Sequence, residues 1–275
     1  MRVDVATYLG AGAPVEAAAF GRGMDVSVLH GYASIRLGIE IPAAEVAGEV
    51  SRLGGMAVGF AGIDPLSPDL PSVLDSVVRH GMSGVTVSPA DQGCRPTHDR
   101  CMEVLGWCAE RGLPVMVSNP RVLESGSVLD YLHPVLFDEV LRELPRLKVV
   151  FADLGTAFLE EALLVVSKHA GAYAEISTLA GRTVHLHHGL LAAHERGVMS
   201  KLFFGSGWPA REPSEVVQRI FGVNAFDGPS RWASIPGDDL RDLVERDTLG
   251  LLGIEVPEGP LALGAGRRGE APAAG

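Results

Sequence analysis

The chain has 275 residues, of which 34 Gly and 18 Pro make up about a fifth, a share below that of low-complexity sequence, so one large α/β domain with a full core is allowed. Lys and Arg number 23 against 34 Asp and Glu, a formal net charge of −11, and no Lys/Arg block is present that could neutralise a row of phosphates, which argues against nucleic acid as a partner. The opening MRVDVATYLGAGAP lacks the order of a signal peptide, and no stretch reaches the roughly 18 uncharged apolar residues of a membrane span, so the expectation is a cytoplasmic protein without membrane association.

Short apolar runs of strand length recur in chain order: RVDVA, DVSVLHG, MAVGFAGI, GVTVSP, PVMVSNP, KVVFADLG, AYAEIST and KLFFGSGWP. Between them the pattern predicts helices over residues 43–53, 70–80, 98–111, 133–144, 157–169 and 214–221, punctuated by Pro and Gly. The first unit is irregular, because residues 10–23 are rich in Gly and Ala and leave little room for a helix. Residues 235–255 read as one more helix closing the base or flank. Residues 256–275 have no aromatic side chain and no apolar periodicity, and are expected to form a disordered tail behind a single domain, 1–255.

Continuous apolar strands alternating with helices suit a parallel sheet covered on both faces and connected by right-handed crossovers. About eight such units predict a closed (β/α)8 TIM barrel, with a doubly wound open sheet as the alternative. Cys94, Cys101 and Cys108 are spaced seven apart. Two helical turns separate neighbours by ~10 Å, beyond the ~7 Å Cα limit of a disulfide, so they read as buried thiols.

In such a barrel the reactive groups stand at the carboxyl ends of the strands. These positions are Ala6 and Tyr8, His30, Asp64, Ser88, Ser118 with Asn119, Asp153, Ser177, and the loop GSGWP that contains Gly207 and Trp208. Along the same chain lie GFAGIDPLSPD from Gly59, HGMSGVTVSPADQG from His80, ERGLPVMVSNP from Glu110, LPRLKVVFADLG from Leu144, LFFGSGWPAREP from Leu202 and IPGDDLRDLVERDTLGLLG from Ile235. Together these segments, spanning residues 56–255, resemble the amidohydrolase-related proteins of the metal-dependent hydrolase superfamily, which include aminocarboxymuconate semialdehyde decarboxylase and its relatives.

The resemblance implies a (β/α)8 barrel with one divalent metal, usually zinc. The metal is held by an H-x-H pair on the first strand, histidines after the fifth and sixth, and an aspartate in a G-S-D-x-P loop after the eighth. Aligning the motifs puts Ala6 and Tyr8 at the pair, Ser118 and Asp153 at the two histidines, and Gly207 at the aspartate. Thr86 and Ser88 stand where such proteins often have lysine and histidine. Zinc needs three or four N, S or O donors; Ala and Gly supply none, Ser is a poor neutral donor, and Tyr8 would have to ligate as phenolate. The expectation is therefore no catalytic metal and no cofactor.

Each candidate has a functional and a structural reading. Asp153 is a general acid or base at the barrel mouth, or a cap accepting backbone N–H groups near Gly155. Tyr8 aims its hydroxyl at a ligand, or fills the volume of the missing ligands. His30 shuttles protons beside Tyr8 and Asp153, or is a satisfied buried histidine. Asp4 is a paired buried carboxylate. His185, His187, His188 and His194 lie where helical spacing does not bring a set together on one metal. Gly207 and Trp208 belong to a loop that cradles an anion or stacks a planar ligand, or is a tight turn.

Three functions follow. The first is a metal-free, degenerate barrel serving as a small-ligand binder or as a partner subunit, for an active paralogue or a second copy of itself. The second is a metal-independent acid–base enzyme using Tyr8, His30 and Asp153, with Ala6, Ser88, Ser118, Asn119, Ser177, Gly207 and Trp208 around a small carboxylated or carbonyl substrate. The third is a hydrolase or decarboxylase whose metal set recruits Asp4, Asp153, Glu175 or the histidine-rich segment.

Overall fold

A computed structural model describes residues 1–10, 23–155, 157–225 and 233–256. The expected tail and most of the irregular first connection lie outside these. Strands β1 (Val3–Tyr8), β2 (Val26–His30), β5 (Ala57–Gly62), β6 (Gly84–Val87), β7 (Val115–Val117), β8 (Val149–Phe151), β9 (Ala172–Glu175) and β10 (Leu202–Phe203) form one sheet in that order. Every pairing is parallel. Because β10 has two residues, the loop after it does most of the closing. Val5 N–H donates to Phe204 O at 3.1 Å, Gly207 N–H to Ala6 O at 2.9 Å, and Tyr8 N–H to Trp208 O at 2.9 Å. The result is a nearly closed TIM barrel, as the eight apolar runs predict.

Helices α1 (Ala43–Leu53), α2 (Leu70–Arg79), α3 (Pro89–Gln92), α4 (Asp99–Arg111), α5 (Phe137–Glu143), α6 (Leu159–Lys168), α7 (Thr183–Glu195) and α8 (Pro213–Phe221) connect successive strands or follow them. The predicted helix at 133–144 begins instead as a 3-10 turn, Pro134–Leu136, and becomes α-helical only at Phe137. The predicted single helix at 235–255 is two, α9 (Gly237–Glu245) and α10 (Thr248–Leu252). Extended Arg246 breaks it, and Asp247 restarts it by accepting Gly250 N–H at 3.1 Å. A β-hairpin absent from the sequence reading, β3 (Tyr32–Ser34) with β4 (Ile39–Ile41), stands directly after β2.

Two apolar layers hold the fold. Inside the barrel pack Val3, Val5, Val26, Val28, Val58, Phe60, Met116, Val150 and Phe203, and Leu249, Leu252 and Ile254 of the α10 region plug the base. The larger layer lies between strands and helices and includes Leu29, Val85, Val87, Val115, Val149, Ala174 and Leu202. Strand periodicity then fixes what stands at the mouth. Two residues beyond inward Val28 comes His30, beyond Met116 Ser118, beyond Tyr173 Glu175, and beyond Phe203 Gly205. Gly84 is side-chain-free because the Phe60 ring occupies the space its Cβ would need, and Thr86 follows it.

Strand β1 departs from this rule. Its register against β2 runs Val3↔Val26 and Asp4↔Ser27, then Thr7↔Leu29 and Tyr8↔His30, which inserts one extra residue. Such a bulge reverses the facing of everything after it. Ala6 and Tyr8 are thereby turned inward with Val3 and Val5 still inside.

Candidate functional site

Three hydrogen-bonded groups lie in or beside the barrel mouth. The first is Asp4, fully buried, whose Oδ1 accepts Ala6 N–H (3.1 Å) and Ser206 N–H (2.9 Å) and whose Oδ2 accepts Ser206 Oγ–H (2.5 Å). Burial pushes its carboxyl up to about 6, against these donors. It pins the eighth strand's loop to the first strand.

The second is His30. Its Nε2 lies 2.7 Å from Val5 O, a carbonyl that can only accept, so Nε2 carries the proton. Nδ1 then accepts from Thr86 Oγ1–H at 2.8 Å. Burial lowers its pKa to about 4, and the neutral ring has both nitrogens engaged. Tyr8 lies beside it, ring centroids 5.3 Å apart, with its hydroxyl 3.1 Å from Ser118 Oγ. Burial, then the carboxyls of Glu175 and Asp153, hold the Tyr8 phenol well above its ordinary range.

The third is an acid pair. Glu175 Oε1 accepts Asp153 N–H at 2.6 Å and Oε2 accepts Ser177 N–H at 2.7 Å. Ser177 Oγ lies 2.8 Å from Asp153 Oδ1 and 3.1 Å from Glu175 Oε1, and Asp153 Oδ1 also accepts Thr178 N–H at 2.9 Å. Asp153 sits in the left-handed region at φ 56°, with Leu154 at φ 47°, a bend that brings its N–H to Glu175. Its carboxylate thus bonds the loop after β9 rather than capping the turn near Gly155. Burial, then Asp153, raises the Glu175 carboxyl to about 8. The carboxyl has room because Gly205 lacks a side chain; a Cβ there would collide with Glu175 Oε2 and Ala6 Cβ.

Above these groups opens a cavity of about 250 Å³ whose walls include Leu9, Ile39, Ile41, Pro120 and Pro209. Its polar lining is Tyr8, His30, Tyr32, Thr86, Ser118 and Arg121. Of the residues expected at the site, Tyr8, His30 and Ser118 line it. Ala6 and Gly207 lie at the barrel closure, and Asp153 and Ser177 belong to the acid pair. Ser88 N–H donates to Gln92 Oε1 at 3.0 Å in the buried start of α3, and Asn119 Oδ1 turns away to accept Ala90 N–H at 2.8 Å. Trp208 packs against the outer apolar layer, leaving Pro209 at the cavity.

Arg121 and the hairpin residues Tyr32, Ile39 and Ile41 also line the cavity, and none of them stands at a strand-end position that the sequence marks. From sequence, Glu175 is only a fallback metal ligand; its inward direction is readable from its spacing to Tyr173. Asp64 is taken up by Ile35 N–H (2.7 Å) and Leu66 N–H (2.9 Å). In α7, His187 Nε2–H donates to Ala233 O at 2.9 Å and His194 Nδ1 lies 2.6 Å from Asp239, while His185 and His188 are exposed, so the four diverge. Among the described residues no group of three His, Cys, Asp or Glu side chains converges as metal ligands would, and no helix is long and apolar enough to cross a membrane.

A family model described as amidohydrolase matches residues 9–247. No curated protein matches the chain. Among solved structures, an uncharacterised TIM-barrel protein of Bordetella bronchiseptica superposes with a TM-score of 0.69 at 17% identity, over 86% of this chain and 79% of its own. The 2,6-dihydroxybenzoate decarboxylase of Rhizobium gives 0.66 at 12% identity, over 92% and 98%. The 5-carboxyvanillate decarboxylase of Sphingomonas paucimobilis gives 0.59 at 14% identity, over 86% and 81%. These similarities concern the fold.

Proposed function

The chain belongs to the amidohydrolase family, and from that premise we propose that it is a metal-free member that binds a small carboxylated or carbonyl molecule at the barrel mouth and does not carry out the metal-dependent hydrolysis or decarboxylation of its relatives. One observation carries the reading. At the positions where the resemblance expects metal ligands, the side chains lack a donor, are neutral hydroxyls bonded to each other, or, at Asp153, leave a single carboxylate with one oxygen already committed.

Ala6 and Gly207 offer nothing. Tyr8 and Ser118 bond each other, Asp153 Oδ1 is held by Ser177 and Thr178, and both oxygens of Glu175 accept backbone N–H groups. A divalent cation would have to strip these bonds and deprotonate a phenol to gain its third ligand. The residues present do not fit zinc. Ligand binding is supported by the cavity above them, and the two decarboxylases named above are named for small aromatic carboxylates.

The acid–base alternative would have to run through Tyr8, which borders the cavity; His30 has both nitrogens engaged, and Asp153 and Glu175 lie outside the lining. The deciding experiment is metal stoichiometry by elemental analysis on protein purified without chelator and then offered zinc, manganese and iron. Less than a tenth of an equivalent, on the order expected for adventitious metal, is the result this reading requires. A tightly held equivalent would sink it.

A further inference from the structure

The cavity is electrically lopsided. His30 is neutral, the acids Asp4, Asp153 and Glu175 do not line it, and Arg121 is the one charged side chain among its described lining residues. A lone cation beside apolar walls favours a ligand with a single negative charge, which a guanidinium can hold bidentately.

Arg121 is held in an unusual way. Its backbone is clamped at both ends: its N–H donates to Asp91 Oδ2 at 3.0 Å, and its C=O accepts Glu124 N–H at 2.8 Å. Asp91, fully buried in α3, also accepts Ser127 Oγ–H on Oδ1 (2.9 Å) and Tyr32 O–H on Oδ2 (3.1 Å). One carboxylate therefore ties together the hairpin wall and the β7 loop wall of the cavity. The guanidinium is loose by comparison. Its ion pair with Glu124 spans 3.4 Å, with both side chains about half exposed, an arrangement worth little in water. A fixed backbone with a weakly engaged guanidinium is poised to exchange Glu124 for a ligand.

The opposite end is neutral. Tyr8 and Ser118 bring two hydroxyl protons and use one on each other, so among the described residues the other remains for an acceptor atom in the cavity.

Resting on the small-ligand reading above, we propose that Arg121 anchors the anionic end of a compact monoanion whose far end carries a neutral oxygen acceptor held by the Tyr8–Ser118 pair, with Asp91 as the residue that positions Arg121 at the rim. The walls between are apolar and suit a flat or branched hydrocarbon body. A bidentate guanidinium–carboxylate contact sets the orientation.

The test uses 4-acetylbenzoate and its neutral isostere 4-acetylbenzamide, titrated calorimetrically against the full chain. The wild type should bind the acid roughly tenfold or more tightly than the amide, and Arg121→Gln should abolish that preference while leaving amide binding within about twofold. Arg121→Lys should restore part of it. Asp91→Asn should reduce the acid's advantage with the amide again unchanged, a split that general loosening would not produce. If Asp91→Asn fails to fold, Arg121→Gln alone carries the result.

Equal binding of acid and amide to the wild type, or acid binding indifferent to Arg121→Gln, overturns the anchor and leaves the small-ligand reading in place. Binding of neither probe at millimolar concentration also overturns the anchor. Tight metal uptake would overturn the metal-free reading while the Arg121 comparison still stood.

Discussion

Glu175 gives the sharpest quantitative test of how the inner mouth is built. Its carboxyl is raised from 4.5 to about 8 by burial and by Asp153. A raised acid binds its proton more tightly in the folded state, so its contribution is fully present below pH 4.5 and is lost as pH climbs toward 8. Between pH 5 and 9 the loss from this group comes to about 4 kcal/mol, at about 1.36 kcal/mol per unit. That is a large part of the ~5–15 kcal/mol that holds a typical domain folded. Glu175→Gln has no such titration. It carries a constant penalty instead, because both oxygens accept backbone N–H groups and the amide NH2 must face one of them, costing about 1–3 kcal/mol at every pH. The readout is therefore a difference curve, wild type minus variant, from urea unfolding at each pH from 5 to 9. The wild type should start ahead and fall behind, and Asp4, titrating in both proteins, cancels to first order. A flat or rising difference curve would refute the reasoning, since it would mean that the backbone donors keep Glu175 ionised.

Three further outcomes follow from the same geometry. Gly205→Ala places a methyl against Glu175 Oε2 and Ala6 Cβ and should cost about 1–3 kcal/mol in urea unfolding, with Glu175→Ala/Gly205→Ala recovering part of it in a double-mutant cycle. Thr86→Val leaves His30 Nδ1 as a buried acceptor without its donor and should cost about 1–3 kcal/mol; an unchanged denaturation midpoint would contradict the assigned tautomer. Asp247→Ala removes the cap that restarts the chain as α10 beneath the barrel and should cost about 1 kcal/mol. Its hydrogen-exchange signature should be faster exchange at Gly250 and Leu251.

The fold was legible because its signal is strong and local. Eight apolar runs became eight barrel strands, and five of the six predicted helices match within about two residues, a scatter usual for helix ends. What escaped was set by details that periodicity does not encode. Tripeptide strands such as Tyr32–Ser34 and Ile39–Ile41 are too short for any two-residue alternation to show, and the hairpin they form is tied to distant Asp91 through Tyr32 and Ser34. The split near Arg246 needed knowledge that the base of the barrel wanted a short apolar plug. The spacing of two helical turns applies to Cys101 and Cys108 on α4, while Cys94 lies in the segment before it; all three are buried free thiols.

The site divides along the same line. Residues at strand ends could be named from sequence, but which of them meets the cavity depends on one inserted residue in β1 and on hydrogen bonds that consume polar atoms. Ser88 and Asn119 sit at strand ends yet serve the α3 turn, and Ser177 serves two carboxyls. Arg121 lies farther along its loop than the strand-end rule reaches, and it is brought to the rim through a hydrogen bond to Asp91, thirty positions earlier. Asp4, His30 and Glu175 spend their hydrogen-bonding capacity on the barrel itself, while the Tyr8–Ser118 pair keeps one proton and the guanidinium at the rim is only weakly paired. In a barrel whose deep groups are engaged with one another, recognition shifts outward to the loops, and it is there that a ligand would find a cation and a hydroxyl proton still available.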